Sequence, residues 1–324
     1  MTSTAGRPGR GTAAGAVMPT GHGENGRDLT GYGGQWPDLR WPNGARLAVS
    51  LNINLEEGAE WQVGDGDPVS ERMGEVISVV EPGTRDPGQE QIFAYGTRAG
   101  FWRMLEALEM RGMQATYLCC GRAVARSPAL LAAALSRGHE AAVHGWLWRP
   151  HADYRSREDE AADLDRCIAA MTAAGGDSPA GFFCRGAESA WTRGLLIERG
   201  FAYTSNAFDD DLPYWDLSGA RPLVVVPYAL DSNDMKFFHP NGFVRAGDMV
   251  DYIDDALEVL LAEAARGRPR LLNIGYHLRI VGRPGRFAAF SRVLDRLAGL
   301  GDRVWVAPRA AIAEAFAAAV PAGS

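Results

Sequence analysis

An α/β fold built as a (β/α) barrel is predicted by three observations. Strand and helix patterns alternate, with few exceptions, from Leu47 to Ala318; seven or eight such repeats follow one another; and polar candidates collect where the strands end. A doubly wound open sheet is the alternative, but no G-x-G-x-x-G follows the first strand, so a dinucleotide would lack its usual phosphate cradle.

The first strand, residues 47–54, is read from Leu47, Val49, Leu51 and Ile53 alternating with Ala48, Ser50, Asn52 and Asn54. A long polar loop leads to a helix over 97–110, with Phe101, Leu105 and Leu108 at helical spacing, and a short strand over 116–118. Ser127 as a cap, Pro128 in the first turn and Gly138 after the last mark the next helix, which is followed by a strand over 140–144. Ser156 with Asp159 opens a helix carrying Leu164, Ile168 and Met171, closed by Gly175 and Gly176. Strand 181–184, helix 191–198, strands 202–204 and 223–226, helix 249–266, strand 271–277, and a final helix, strand 304–307 and helix complete the pattern.

Composition bounds the function. The 324 residues carry 33 basic and 40 acidic side chains, a net charge of −7, which argues against nucleic acid as a partner. Length alone allows about two domains, but a barrel uses this much chain as one. Residues 1–34 are glycine-rich with almost nothing apolar, so they are expected to be a disordered tail, leaving 35–324 as a single catalytic domain. No apolar run is long enough to span a membrane and no signal-like apolar region opens the chain, so no membrane partner and a cytoplasmic location are expected. Cys119, Cys120, Cys167 and Cys184 have neither zinc-site nor disulfide-framework spacing and read as buried thiols. Lys236 is the only lysine, which leaves little room for Schiff-base or P-loop chemistry.

Active sites of such barrels lie at the C-terminal ends of the strands. There the sequence places Glu56 and Glu57, His144, Arg185, Asp209 to Asp211, Asp231 with Asp234, and His277. Adjacent carboxylates raise one another's affinity for a proton, so one of Glu56 and Glu57 is a candidate base, or the pair is an exposed acidic loop. His144 reads equally as a ligand or a structural histidine. His277 suits proton donation to a leaving nitrogen. Arg185, Arg283 and Arg286 offer guanidinium forks for a carbonyl or carboxylate, or form surface ion pairs. Trp146, Trp148, Tyr214 and Trp215 either wall a pocket or simply pack.

These residues resemble the polysaccharide deacetylase superfamily, in the branch that holds an allantoinase and the cyclic-imide hydrolases. The carriers are the runs from Asn54 to Gly58, Tyr95 to Trp102, Gly138 to Glu140 with His144-Gly145, Asp210 to Trp215, Pro227-Tyr228 with Asn233-Asp234, and His277 with Gly282 to Arg286. The resemblance implies a distorted (β/α) barrel of about seven strands and a homo-oligomer. It also implies hydrolysis of an amide by water, with Glu56 and Glu57 in the place of an Asp-Asp pair of base and metal ligand. The family's second histidine is replaced by Trp148, and His151 would need a different loop path. Glu57 and His144 are then the only matching donors for zinc or another divalent metal, and the allantoinase-like members, which share a Trp at this offset, imply that no metal is required.

The expected function is opening of a small cyclic amide such as allantoin, a hydantoin or an imide. Glu56, His277 and Arg185 are the expected catalytic residues, and Glu57, His144, Trp148, Trp215, Asn233, Arg283 and Arg286 the expected substrate contacts. A metal-dependent deacetylase of an N-acetyl sugar or other acyl amide, and a non-catalytic barrel that binds a small ligand, are the alternatives.

Overall fold

The computed structural model describes Leu29 and residues 31–323. The strands are β1 (Leu47–Leu55), β2 (Thr116–Cys119), β3 (Glu140–Val143), β4 (Gly181–Phe182), β5 (Tyr203–Thr204), β6 (Tyr214–Asp216), β7 (Leu223–Val225), β8 (Arg270–His277) and β9 (Val304–Val306). They form one curled sheet in the order β6-β7-β5-β4-β3-β2-β1-β8. Only the β6–β7 pairing is antiparallel, so seven strands run parallel from β7 to β8, and β9 adds to the start of β1. The barrel expectation is thus met.

The sheet is long enough to curl but lacks a regular strand to close it. The segment after β7 does this with single bonds: Asn233 bridges Gly275 of β8, and the Gly275 amide donates to the Ser232 carbonyl at 3.2 Å. The residue at 275 has to be glycine, because a Cβ there would lie 2.2 Å from the Tyr228 hydroxyl.

The period-2 pattern of β1 sorts its side chains into two cores. Leu47, Val49, Leu51, Ile53 and Leu55 pack outward under the helices, while Ala48 faces a second apolar cluster with Leu118, Ala142, Tyr228 and Phe316. Ser50 and Asn52, also buried, meet the fully buried guanidinium of Arg309, which opens the C-terminal helix Arg309–Ala319 and bonds Ser205 and Asn273 as well. A cation is thereby held inside the barrel by neutral oxygens alone.

Other expectations are adjusted at their edges. Ser156 accepts from the Asp159 amide at 3.1 Å and caps helix Arg157–Ala173 as read, whereas Ser127 makes no side-chain cap. The long polar loop contains helix Pro87–Tyr95, started by Asp86, whose side chain accepts from the amides of Gly88 and Gln89. A π-turn, Gly96–Gly100, joins it to helix Phe101–Glu109. Helix Gly121–Arg126 and strand β6 are too short to leave a periodic signature.

Most of the expected tail lies outside the described residues. Within 31–34, Tyr32 is placed: its hydroxyl donates to Asp210 at 2.7 Å and its ring packs on Trp36. All four cysteines are free and buried, as read. Among the described residues, no helix is long and apolar enough to cross a membrane.

Candidate active site

The parallel strands end around one cavity of about 600 Å³. Glu56 follows β1, His144 follows β3, Arg185 lies just beyond β4, Asn233 belongs to the closing segment, and His277 ends β8; all five line it, with Trp148. The sequence scattered these groups over more than 220 positions, and the parallel sheet brings their strand ends to one mouth.

Glu56 is the centre. Its Oε2 accepts from Arg279 Nη1 at 2.7 Å, and its Oε1 lies 3.2 Å from His144 Nε2 and 3.4 Å from His277 Nε2. Burial pushes this carboxyl up, but the charges of His277 and Arg279 and the two imidazole contacts outweigh it and hold it well below the usual carboxylate range.

His277 is clamped from behind. Its Nδ1 sits 2.6 Å from Asp234 Oδ1, and its own amide and that of Val281 donate to Asp234 Oδ2 at 2.8 and 3.1 Å. Burial favours the neutral ring, yet Glu56 and Asp234 on its two sides raise its pKa to about 9. Carboxylate and imidazole therefore stand in opposite protonation states at neutral pH, an ionised acceptor beside a charged donor.

Glu57 behaves differently from its neighbour. Burial first, and then the charge of Glu56, outweigh Arg279 and raise its pKa to about 7. Its Oε2 accepts from the Glu56 amide at 3.1 Å, and its Oε1 lies where a Cβ on Gly96 would fall, so the carboxylate points under the π-turn. The raised affinity for a proton thus falls on Glu57, with burial as its larger cause, but Glu57 does not line the cavity.

This decides how well the residues fit a metal. The expected donors Glu57 and His144 face different neighbours, and Arg279, 2.7 Å from Glu56 and 3.7 Å from Glu57, stands as the cation between the two carboxylates. Among the described residues, no group of three or more His, Cys, Asp or Glu side chains is arranged to hold a metal ion. His151 does not replace the missing ligand, because it does not line the cavity; its Nδ1 is 2.9 Å from Glu160, which also takes hydrogen bonds from Thr192 and Ser189. The residues present do not fit the metal site that the resemblance suggested.

Trp148 is buried, with the Arg185 guanidinium 3.7 Å and that of Arg279 4.8 Å from its ring centre. Arg185 also pairs with Glu71 at 2.7 Å, so part of its charge is already met. Three expected contacts fall elsewhere. Trp215 donates to the Val320 carbonyl at 2.7 Å and packs on Phe316, because β6 turns it toward the C-terminal helix. Arg283 stacks on Tyr95, and Arg286 forms a double hydrogen bond with Glu75; neither lines the cavity. Asp210 and Asp211 line a second, separate pocket.

Sequence reading missed Arg279, although it lies two residues beyond a strand-ending histidine, and it gave Asp234 no role. It also missed the floor, where Tyr228 stacks on Phe183 at 4.4 Å and accepts from Asn233 at 2.8 Å. The runs Pro227-Tyr228 and Asn233-Asp234 carry the resemblance, but no motif marks Arg279 or shows these contacts, because they are loop residues that meet only when the barrel closes.

Residues 86–196 match the polysaccharide deacetylase family. A Schizosaccharomyces pombe protein that carries a polysaccharide deacetylase name is 32% identical over 91% of this chain and 98% of its own length. Among solved structures, a Pseudomonas aeruginosa PAO1 protein with the same kind of name is 37% identical, with a TM-score of 0.86 over 91% of this chain and 99% of that one. PuuE allantoinase is 36% identical, with a TM-score of 0.85 over 91% of this chain and 98% of that one. Matched nearly end to end at this identity, the chain belongs to the polysaccharide deacetylase family and is a hydrolase of that family.

Proposed function

We propose that this hydrolase opens a small cyclic amide, allantoin or a related hydantoin or imide, without a required metal. One observation carries the reading: a buried, ionised Glu56 and a charged His277 face each other across 3.4 Å in the same cavity. Glu56 takes a proton from water as its oxygen bonds to the amide carbon. The C–N bond then breaks, and His277 Nε2 gives its proton to the departing nitrogen. Passage of the Glu56 proton to His277 restores both groups. His144 holds Glu56 Oε1 in place, and Arg185 and Asn233 offer donors to the carbonyl.

The substrate class is supported by the 36% identity to PuuE allantoinase over 91% of the chain. It is supported also by the buried cation of Arg279, 2.7 Å from Glu56, which neutralises that cavity carboxylate from behind.

The test is ring opening of racemic allantoin by chelator-treated protein, followed by NMR. Allantoate is the expected product. Activity confined to an N-acetyl substrate and dependent on added zinc would replace this reading with that of a metal-dependent deacetylase.

A further inference from the structure

One wall of the cavity carries side chains with no part in the chemistry above. That wall is the short 3-10 helix Asp234–Phe238, beyond its first residue Asp234, with the residue after it, and it carries Lys236 and His239. Lys236 is the only lysine among 33 basic residues, and it lies on the cavity. Its ammonium makes no ion pair or hydrogen bond with any described residue. The other cavity cations are matched, Arg185 by Glu71 and His277 by Glu56 and Asp234.

His239 adds a second donor. Its Nδ1 accepts from the Asn241 amide at 3.2 Å, which leaves the ring proton on Nε2. The nearby carboxylate of Asp231 is exposed and already accepts from the Tyr252 hydroxyl at 2.6 Å. Leu230, Met235 and Phe238 make the rest of this side apolar, which strengthens any charge interaction formed there.

We propose that Lys236, assisted by His239, binds a carboxylate carried by the substrate, so that the preferred substrates are small amides with an acidic substituent. This rests on the reading of the site as an amide hydrolase. The spacing is fixed by the fold, because the helix that presents Lys236 begins with Asp234, the residue that clamps His277. The distance from the anionic group to the scissile bond is thereby set by one rigid turn.

The test compares hydantoin with carboxymethyl-hydantoin on the full-length protein. The wild type is expected to favour the acid in kcat/KM by about tenfold or more, a preference that weakens with added salt. Lys236→Gln is expected to remove most of that ratio and Lys236→Arg to keep most of it, with thermal unfolding as the control for folding. A wild-type ratio near one, or a ratio unchanged in Lys236→Gln, overturns the proposal. If neither ring opens, hydantoins are removed from the functional reading, which the allantoin assay tests separately. Calorimetric binding of the same two compounds then tests the inference: tighter binding of the acid that is lost in Lys236→Gln supports it, and equal binding sinks it.

Discussion

His277 Nε2 lies 3.4 Å from Glu56 Oε1, while its Nδ1 lies 2.6 Å from Asp234 Oδ1. The imidazole thus bridges two carboxylates with different surroundings. Asp234 is tied to the backbone on both sides of the ring, so it fixes orientation, and Glu56 opens on the cavity, so it can meet a reactant. Charge in this row alternates from Asp234 through His277 and Glu56 to Arg279, which lets four buried ionisable groups coexist.

Glu56→Gln removes the proton acceptor and keeps its size. Turnover of the amide is expected to fall by about 10²–10⁴-fold, with KM changed much less. His277→Ala should lose a comparable factor at neutral pH. Steady-state kinetics on the substrate identified by NMR check both, and retained turnover in either variant removes its assigned role.

The pH profile follows from the two shifts. With His277 raised to about 9, kcat/KM is expected to hold through neutrality and fall as pH rises through about 9, when the donor loses its proton. Asp234→Asn takes away one of the charges that raise it, so the alkaline limb should move toward lower pH. Circular dichroism of the variant shows whether the fold survives, and an unmoved limb in folded protein would reject the role of Asp234. The same group contributes to stability: its raised pKa favours the native state fully below about 6.5, and that share is lost as pH rises through about 9.

Glu57 gives a separate prediction at lower pH. Its pKa of about 7 in the fold exceeds the ordinary 4.5, so the native state binds its proton more tightly than the unfolded chain. The sign is therefore stabilising below about 4.5, with the contribution lost as pH rises through about 7, on the order of 3 kcal/mol in all. Urea unfolding of wild type and Glu57→Gln across that window should show a steeper decline with pH in the wild type. Parallel curves would contradict the raised pKa of this buried carboxyl.

The alternation in β1 made both the barrel and its inner and outer faces legible, because a period of two survives any context. Glu56, His144 and His277 were legible for a related reason: each directly follows or ends a strand with a clear apolar pattern. Arg279 was not, since its partner Glu56 lies 223 residues away and no local propensity records such a contact, and the stacking of Tyr228 on Phe183 likewise leaves no local signal. Trp215 misled because a tryptophan near a strand end looks the same whether β6 turns it to the cavity or to Phe316.

Trp215→Phe tests that placement. It should leave kcat and KM for the amide within about twofold, and cost about 1 kcal/mol in unfolding for the lost bond to Val320. A raised KM would return Trp215 to the substrate pocket.

Arg279→Met is the sharpest test of the carboxylate pair. The side chain is fully buried and 2.7 Å from Glu56, with the Phe93 and Trp148 rings 4.2 and 4.8 Å from its guanidinium. Burial disfavours its charge, but Glu56 and Glu57 more than compensate and raise its pKa. Removing it leaves two buried carboxyls without their cation, at a cost of about 3–5 kcal/mol. Glu56 should then take up a proton at higher pH, moving the acid limb of kcat/KM upward and lowering activity near neutrality. Arg279→Lys restores the charge without the planar fork, so it should recover part of the stability and return the limb part of the way. The paired measurements are urea unfolding and the acid limb; a variant that loses stability with its acid limb unmoved would mean that Arg279 packs beside Glu56 without setting its charge.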